Sequence, residues 1–392
     1  HLYKIDKIHK NMKKQKICVI GDGLSGLTAA LVLSNLDIEV DFIAENKQEK
    51  KSSDPRVTAI SPSNFKFLIN YLDIKDSKFF WPCKKINLFY EKFNHLHNFI
   101  NFSEGHKNLL YITKNDNFKK ILFRRIKGKK NIKIINKEVK KVDTKNSCIL
   151  FGKKSYAYDL ILLCVGRSSK IISEFVGKRY IQKDDKEIAL TSMVSHNINI
   201  SDPRQYFLKE GPLAILPINE KNFSFVWSVS NKLKTINTKD LVYNKLKKIL
   251  GNKTNINLNE IVTFPISFKF NSIFSKNNSL VLGDGSYNVH PVAGQGFNLI
   301  IRDIIKLFQF IEYNQSLGLP IRDSEIIKKF VSSRKPENLL FGLGINLTNS
   351  FFKQNKITSP IKDFILKDIN KFNFLKEISI KISDKGIFQS LK

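Results

Sequence analysis

The sequence predicts an α/β protein in which a parallel-sheet domain is interrupted by an antiparallel β domain and followed by C-terminal helices. Three observations predict this class. Near the start, a strand, a glycine-rich turn, a helix and a second strand follow one another within about 30 residues. The middle of the chain alternates apolar and polar residues with period two. The last part, from about residue 325, has a helical pattern and is rich in lysine.

The first glycine-rich turn has the spacing GxGxxG. The apolar run 17–20 leads directly into Gly21, Gly23 and Gly26, and a helical pattern follows. The first glycine permits the tight turn, the second lets the backbone approach a pyrophosphate, and the third lets helix and strand pack closely. The helix N-terminus offers free N–H groups to phosphate, and Glu45, at the end of the second strand, can accept hydrogen bonds from ribose hydroxyls. The unit predicts a Rossmann-like dinucleotide site.

A second glycine-rich segment, residues 283–298, lies between a short strand and an amphipathic helix. Asp284 follows the strand and can accept hydrogen bonds from sugar-like hydroxyls. Gly294, Gln295 and Gly296 present backbone N–H groups at a helix start, where an anion is stabilised. Because reduced flavin carries negative charge on its ring, the segment suits a flavin. The alternative is an ordinary glycine-rich loop.

Strand signals outside these motifs indicate the domain arrangement. The continuous apolar run 160–165 is typical of a parallel strand, and the alternating runs 223–230 and 264–270 are typical of an antiparallel sheet. We expect the aromatic side of the first alternating run to form a wall over a substrate, with plain core packing as the alternative. The predicted domains are a discontinuous nucleotide-binding domain (12–75, 108–182 and 275–325), an antiparallel β substrate domain (76–107 and 183–274) and a C-terminal helical segment (326–392).

The chain of 392 residues carries 66 basic and 35 acidic side chains, a formal charge of +31. Nine of the basic residues are arginine and the lysines are spread along the chain, which is typical of a compositional bias. Nucleic-acid sites depend on arginine for bidentate contacts, so no nucleic acid is expected, whereas contact with an anionic membrane surface stays open.

No apolar stretch approaches the roughly 18 residues of a spanning helix. The four cysteines show no CxxC spacing, so neither a disulfide framework nor a metal site is indicated.

The second segment also carries a resemblance to a known family. Its sequence from Gly283 to Asp303, GDGSYNVHPVAGQGFNLIIRD, resembles the second FAD motif of the aromatic-ring hydroxylases related to p-hydroxybenzoate hydroxylase, above all that of the ubiquinone-biosynthesis hydroxylases. Three further pieces agree with this family: Asp54–Ile60 (DPRVTAI), Glu210–Pro217 (EGPLAILP) and Val226-Trp227. The resemblance covers the chain from about residue 16 to about residue 350.

The resemblance implies an FAD-dependent monooxygenase. In that family NADH or NADPH reduces FAD, oxygen adds to the flavin C4a to give a hydroperoxide, and the distal hydroxyl is transferred to a phenol ring. The implied substrate is a polyprenylated phenol of ubiquinone biosynthesis. We therefore expect a cytoplasmic protein that is peripheral on the cytoplasmic membrane face, in contact with anionic lipid and with other ubiquinone-biosynthesis proteins.

The family's site residues carry over onto matching positions of this sequence. The implied FAD contacts are Gly21, Gly23, Gly26 and Glu45 at the adenosine diphosphate half, Arg56 near the flavin, Asp284 at the ribityl chain, and Pro291, Gly294, Gln295 and Gly296 beside the ring. Leu216 and Trp227 are the expected substrate wall. No side chain is a convincing catalytic acid or base, and His290, which precedes a proline, is interpreted as structural.

Two departures from the family pattern bear on turnover. At the end of the strand at 159–165 the family has an Asp, and this chain has Val165. At the family's downstream Arg position this chain has Ile172. The Asp-Ala-Ala-His of its second motif reads Asp-Gly-Ser-Tyr at 284–287. The missing Asp predicts weakened handling of the nicotinamide. Two alternatives therefore stay open: a flavin reductase of the same fold acting on isoprenoid double bonds, and an FAD-binding accessory subunit without turnover.

Overall fold

A six-stranded sheet forms the centre of the nucleotide-binding part. The computed structural model describes residues 14–44, 54–72, 74–166, 169–177, 180–232, 237–271, 274–288, 295–322, 324–352 and 373–390. The order of the strands is β19 (Ser275–Lys276), β20 (Ser279–Val281), β12 (Leu160–Leu163), β1 (Lys16–Ile20), β2 (Glu39–Ala44) and β8 (Ile132–Asn136). Apart from the antiparallel pair β19–β20, neighbouring strands are parallel. The predicted parallel sheet is confirmed.

The apolar strand residues explain why this sheet is central. The side chains of β1 from Ile17 onward and all those of β12 are almost completely buried. Such strands form where both faces of a parallel sheet are covered. Helix α1 (Leu24–Leu33) supplies part of the cover and buries eight of its ten residues, because it also packs against α3 (Asn115–Lys127) and α6 (Gly296–Ser316).

A large, mainly antiparallel sheet is built mostly from the middle of the chain, as predicted. Its order is β21 (Tyr287–Asn288), β18 (Val262–Asn271), β13 (Tyr180–His196), β16 (Asn222–Ser230), β15 (Gly211–Asn219), β14 (Arg204–Leu208), β5 (Lys85–Lys92) and β6 (His95–Ser103), with β17 (Ile256–Leu258) paired to β13. Within it, β14 and β5 pair in parallel. This sheet carries one wall of the candidate site.

One face of the large sheet packs on helix α5 (Thr238–Leu250). Phe223, Phe225 and Trp227, at alternate positions of β16, are fully buried there with Val242 and Leu246 of the helix. The period-two pattern follows from this packing, because successive side chains of a strand point to opposite faces. The other face lines a cavity.

Smaller elements surround these two sheets. Their bounds are β3 (Val57–Ile60), β7 (Leu110–Lys114) and β4 (Trp81–Cys83) in one sheet, β9 (Lys141–Asp143), β10 (Cys148–Phe151) and β11 (Lys154–Ala157) in another, and helices α2 (Pro62–Ile69), α4 (Lys170–Val176), α7 (Ser324–Phe352), α8 (Asn373–Lys385) and α9 (Ile387–Ser390). The domain boundaries stay a prediction. The predicted boundary between residues 182 and 183 falls inside strand β13. Within the described ranges, no helix is long and apolar enough to cross a membrane.

The substitution Trp227→Ala should lower the free energy of unfolding by about 3–5 kcal/mol, because it removes a fully buried ring and leaves a cavity. Urea unfolding measures the change. Tyr243→Ala, on the exposed side of α5, is the control and should stay within about 0.5 kcal/mol of wild type. Wild-type stability of Trp227→Ala would contradict the described β16–α5 core.

Candidate functional site

The first glycine-rich turn joins β1 to α1 and packs against the end of β12. Gly21 has a φ of +118°, and a Cβ there would lie 2.6 Å from the carbonyl oxygen of Cys164. A Cβ at Gly26 would overlap the carbonyl oxygen of Gly21. Gly23 differs, since nothing lies within 4 Å of a Cβ built on it. The turn is therefore tight on its protein side and open where a phosphate would approach.

The second glycine-rich segment meets the first. Gly283 has a φ of +86°, and a Cβ on it would lie 2.8 Å from Ser25 Oγ. A Cβ at Gly285 would lie 3.1 Å from the carbonyl oxygen of Val165 and 2.9 Å from Ile172 Cδ1. The two segments therefore lie side by side at the carboxyl ends of β1, β12 and β20. Ligands of open parallel α/β sheets bind at this edge.

Asn298, in the first turn of α6, ties the second segment to its neighbours. Its fully buried side chain accepts a hydrogen bond from the Ser61 N–H at 2.9 Å and donates one to the Ala59 carbonyl at 2.9 Å. It also donates to Gln295 Oε1 at 3.3 Å, and Asn64 Nδ2 donates to its Oδ1 at 3.0 Å. These bonds fix the start of α6 against the end of β3 and the start of α2. Sequence reasoning did not single out Asn298, although it lies within the second glycine-rich segment.

Arg56 is held in a fixed orientation at the edge of the site. Its Nε and Nη2 donate to the two carboxylate oxygens of Asp54 at 2.8 and 2.7 Å, and its guanidinium lies 4.7 Å from the centre of the Phe264 ring. Burial alone would raise the pKa of Asp54, but the hydrogen bonds and charge of Arg56 outweigh it and lower that pKa. The pKa of Arg56 is raised, mainly by Asp54 and further by the charge of Asp284. The Arg56–Asp54 pair is therefore ionised at neutral pH.

A cavity of about 1070 Å³ opens beside these residues. One wall is the open face of the large sheet, where five neighbouring strands contribute a continuous row of register partners: Thr191, Val226, Ala214, Gln205 and Leu88. The row is mainly aliphatic, with one hydroxyl and one amide. An apolar wall with few polar groups is typical of sites for small organic ligands.

Five of the predicted site residues line this cavity: Arg56, Leu216, Asp284, Gln295 and Gly296. Gln295 is buried and Asp284 is exposed. Three others, Glu45, Pro291 and Gly294, lie outside the residues that the structure describes. Gly21, Gly23 and Gly26 lie in the turn beside Gly283, and the ligand contacts of all these residues stay predictions.

Trp227 faces away from the cavity, which corrects the prediction that placed it in the substrate wall. Its register partners are Leu190 and Leu213, and all three belong to the core beneath α5. Val226, the preceding residue, lines the cavity instead. The alternation in the sequence separated the two faces correctly, but the position of α5 decides which face is core, and that is a tertiary contact.

The two positions that depart from the family pattern lie at the same edge of the sheet. Ile172, on α4, is buried in an apolar cluster, and Val165 packs against that cluster. Where the resembling family carries a carboxylate and a guanidinium, this chain therefore has apolar packing.

Tyr287, at the position of the family's His, belongs to a buried ionic cluster behind the second segment. Its hydroxyl donates to Asp303 Oδ2 at 2.7 Å, and Arg334 Nε donates to Asp303 Oδ1 at 2.6 Å. Burial, followed by the charge of Asp303, raises the pKa of Tyr287, so the hydroxyl stays protonated as a donor. The cluster joins β21, α6 and α7.

Comparison with known proteins gives several relatives, although no family model matches the chain. The chain is 27% identical over 215 residues to the mitochondrial ubiquinone biosynthesis monooxygenase COQ6 of Dictyostelium discoideum, which covers 46% of this chain and 43% of the relative. It is 22% identical over 390 residues to COQ6 of Drosophila melanogaster, covering 84% and 81%. It is 25% identical over 155 residues to the 3-demethoxyubiquinol 3-hydroxylase of Escherichia coli, covering 38% and 40%. The first and third matches thus span less than half of the relative's length.

Solved structures share the fold along nearly the whole chain. The p-nitrophenol 4-monooxygenase PnpA of Pseudomonas putida superposes with a TM-score of 0.80 at 14% identity, covering 97% of this chain and 99% of that one. PqsL of Pseudomonas aeruginosa, a probable FAD-dependent monooxygenase, gives a TM-score of 0.68 at 12% identity, covering 94% and 99%. The predicted fold class is confirmed.

Proposed function

We propose that this protein is an FAD-dependent monooxygenase that hydroxylates the aromatic ring of a polyprenylated phenol in ubiquinone biosynthesis, using NADH or NADPH and O2. One observation carries the proposal: the segments 21–26 and 283–285 meet beside a cavity of about 1070 Å³ whose sheet wall carries a mainly aliphatic row of side chains. The similarity to ubiquinone-biosynthesis hydroxylases supports the choice of substrate class.

The residues at the carboxyl edge of the parallel sheet fit FAD. The open side of Gly23 leaves room for a pyrophosphate at the N-terminus of α1, where free N–H groups stabilise an anion. The remaining contacts that we propose are Glu45 at the ribose, Asp284 at the ribityl chain, and Arg56, Pro291, Gly294, Gln295 and Gly296 beside the ring. When bound, FAD supplies the electron transfer and oxygen activation that side chains do not provide.

The chain's own contribution is to hold the phenol ring and to exclude water from it. Ala214, Leu216 and Val226 offer aliphatic surface along the cavity wall. The amide of Gln205 lies in the same wall and can hydrogen-bond a phenolic oxygen. Packing of the phenol ring against this surface keeps water away from the ring and limits side reactions.

We also propose that the protein is peripheral on the cytoplasmic face of a membrane. A polyprenylated substrate resides in lipid, and the chain carries a formal charge of +31. On the C-terminal helices Leu340, Leu347 and Phe374 are 48%, 70% and 71% exposed. Apolar side chains on a basic surface favour binding to an anionic interface. Residues 361–366, whose apolar side chains add to the argument, lie outside the described residues.

Oxygen uptake by the purified protein tests the proposed function. We expect a yellow protein whose NAD(P)H oxidation and O2 consumption rise when a prenylated phenol is added, with one oxygen atom gained by the ring. Reduction of an isoprenoid double bond without oxygen uptake would favour the flavin reductase. A protein that stays yellow but never consumes oxygen would favour the accessory subunit.

The substitution Gly23→Ala should give a folded protein that purifies largely without FAD, because the added methyl group enters the space proposed for the pyrophosphate. Flavin absorbance per protein and the thermal midpoint are the two measurements. Gly26→Ala is the contrasting variant and should lose stability itself, since its Cβ would overlap the Gly21 carbonyl. Stoichiometric FAD in Gly23→Ala would contradict this placement.

Val165 should make reduction by NAD(P)H slow or dependent on bound substrate, because valine cannot accept a hydrogen bond. Restoring the acceptor in Val165→Asp should speed reduction by about ten- to a hundredfold, the value of a charge-assisted hydrogen bond. Anaerobic stopped-flow reduction, with and without a phenol, measures this. Val165→Leu, which alters the packing without adding an acceptor, is the control. Fast, substrate-independent reduction of wild type would show that valine at position 165 does not slow the reduction.

Binding to lipid vesicles tests the membrane proposal. The protein should bind anionic vesicles more tightly than neutral ones and lose that preference in high salt, because salt screens lysine–phosphate attraction. Leu347→Ser should weaken binding without changing flavin content. Equal, salt-independent binding to both vesicle types would refute the electrostatic account.

A further inference from the structure

We infer that the C-terminal helix α8 is a wall of the substrate cavity, with Ile380 as a specificity-determining residue and Asp384 as the residue that positions the helix. The inference rests on the proposed function, since it assigns a role within that same site. It brings into the site a segment roughly 90 residues downstream of the second glycine-rich segment.

The cavity lining shows which side of α8 faces the site. The lining residues of this helix are Ser379, Ile380, Lys381, Ser383, Asp384 and Lys385. Residues four apart share a face of a helix, as Ile380 and Asp384 do here. Ile382 and, just beyond the helix, Ile387 instead pack against the main apolar core. Helix α8 therefore has one face on the core and another on the cavity.

Asp384 anchors this helix to the start of α2. Its two carboxylate oxygens accept hydrogen bonds from the Ser63 N–H and the Ser63 hydroxyl, both at 2.7 Å. The Ser61 hydroxyl donates to the Asp384 carbonyl at 3.2 Å. A carboxylate at a helix N-terminus satisfies a free N–H group and interacts favourably with the helix dipole. The bond joins residues 321 positions apart in the chain, so it fixes α8 rather than a local turn.

The anchor lies on the same turn that Asn298 holds. The Ser61 N–H donates to Asn298, while Ser61 and Ser63 donate to Asp384. The turn 61–63 is therefore tied to the start of α6 on one side and to α8 on the other. This connection fixes the cavity wall relative to the segment proposed to border the flavin.

The end of α8 packs closely against buried side chains of α6 and α7. Gly386 has a φ of +92°, and a Cβ there would overlap Glu337 and lie 2.7 Å from Arg302 Nη1. Both of these side chains are buried. Glu337 is bonded to Arg334 of the ionic cluster. Glycine at position 386, with its positive φ and no side chain, lets the chain pass closely over these residues. The hydrogen bonds at Asp384 and the close packing at Gly386 make α8 a fixed part of the site.

The cavity-facing variant Ile380→Trp tests the wall directly. The larger side chain should occupy space used by the substrate and weaken binding of an alkylated phenol by about tenfold or more. Binding is followed by the change in flavin absorbance of the FAD-loaded protein, which requires no turnover. Glu377→Trp, on the same helix but outside the lining, is the matched control. Flavin content and the thermal midpoint of both variants should match wild type.

The anchor variant Asp384→Ala should raise the fraction of consumed oxygen released as hydrogen peroxide, because a loosened wall admits water to the ring. Asp384→Asn keeps an acceptor for Ser63 and should restore much of the coupling of oxygen consumption to hydroxylation.

Equal phenol binding by wild type, Ile380→Trp and Glu377→Trp would overturn the inference. A wild type that binds the phenol, is weakened by Ile380→Trp and yet never consumes oxygen would support the wall and contradict the proposed function.

Discussion

The site depends on close backbone packing where β1, α1 and β12 meet. The Gly21 N–H donates to the Ile43 carbonyl at 3.0 Å, and its α-carbon lies so close to the Cys164 carbonyl that a side chain does not fit. Gly26 packs against the Gly21 carbonyl from the helix, and Gly283 of the second segment packs against Ser25 at the start of the same helix. Because the backbones touch, the N-terminus of α1 and the 283–285 turn open onto one edge of the sheet. All further elements of the site are arranged around this edge.

From that edge a chain of buried and partly buried hydrogen bonds leads to the cavity. Asn298 holds the start of α6 against the turn 61–63, and that turn holds α8 through Asp384. The large sheet supplies the opposite wall, with the aromatic residues of β16 turned away onto α5 and Val226 of the same strand facing the cavity. The sheet edge proposed to bind FAD and the C-terminal helix are thus connected by hydrogen bonds, which a reaction requiring a shielded ring would need.

The sequence predicted the features that depend on local spacing. The glycine-rich turns, the parallel strands and the alternating strands each have a short-range signature. The structure contains the strands, the first turn and, of the second segment, residues 283–288 and 295–298. Features that depend on contacts between distant residues were not predictable in the same way. The burial of Trp227 depends on α5, and the place of Asp384 in the site depends on Ser63. Neither pairing has a short-range signature in the sequence, so one residue was placed on the wrong face and the other was missed.

The most direct test of the central claim is the origin of the oxygen atom in the product. The purified, FAD-loaded protein is given NAD(P)H and a prenylated phenol under an atmosphere of oxygen-18 gas, and the product is analysed by mass spectrometry. If the protein hydroxylates the ring with O2, one labelled atom appears on the aromatic ring. The same reaction in labelled water with ordinary oxygen leaves the ring unlabelled. Label drawn from water, or a product changed only in its prenyl chain, would contradict the account.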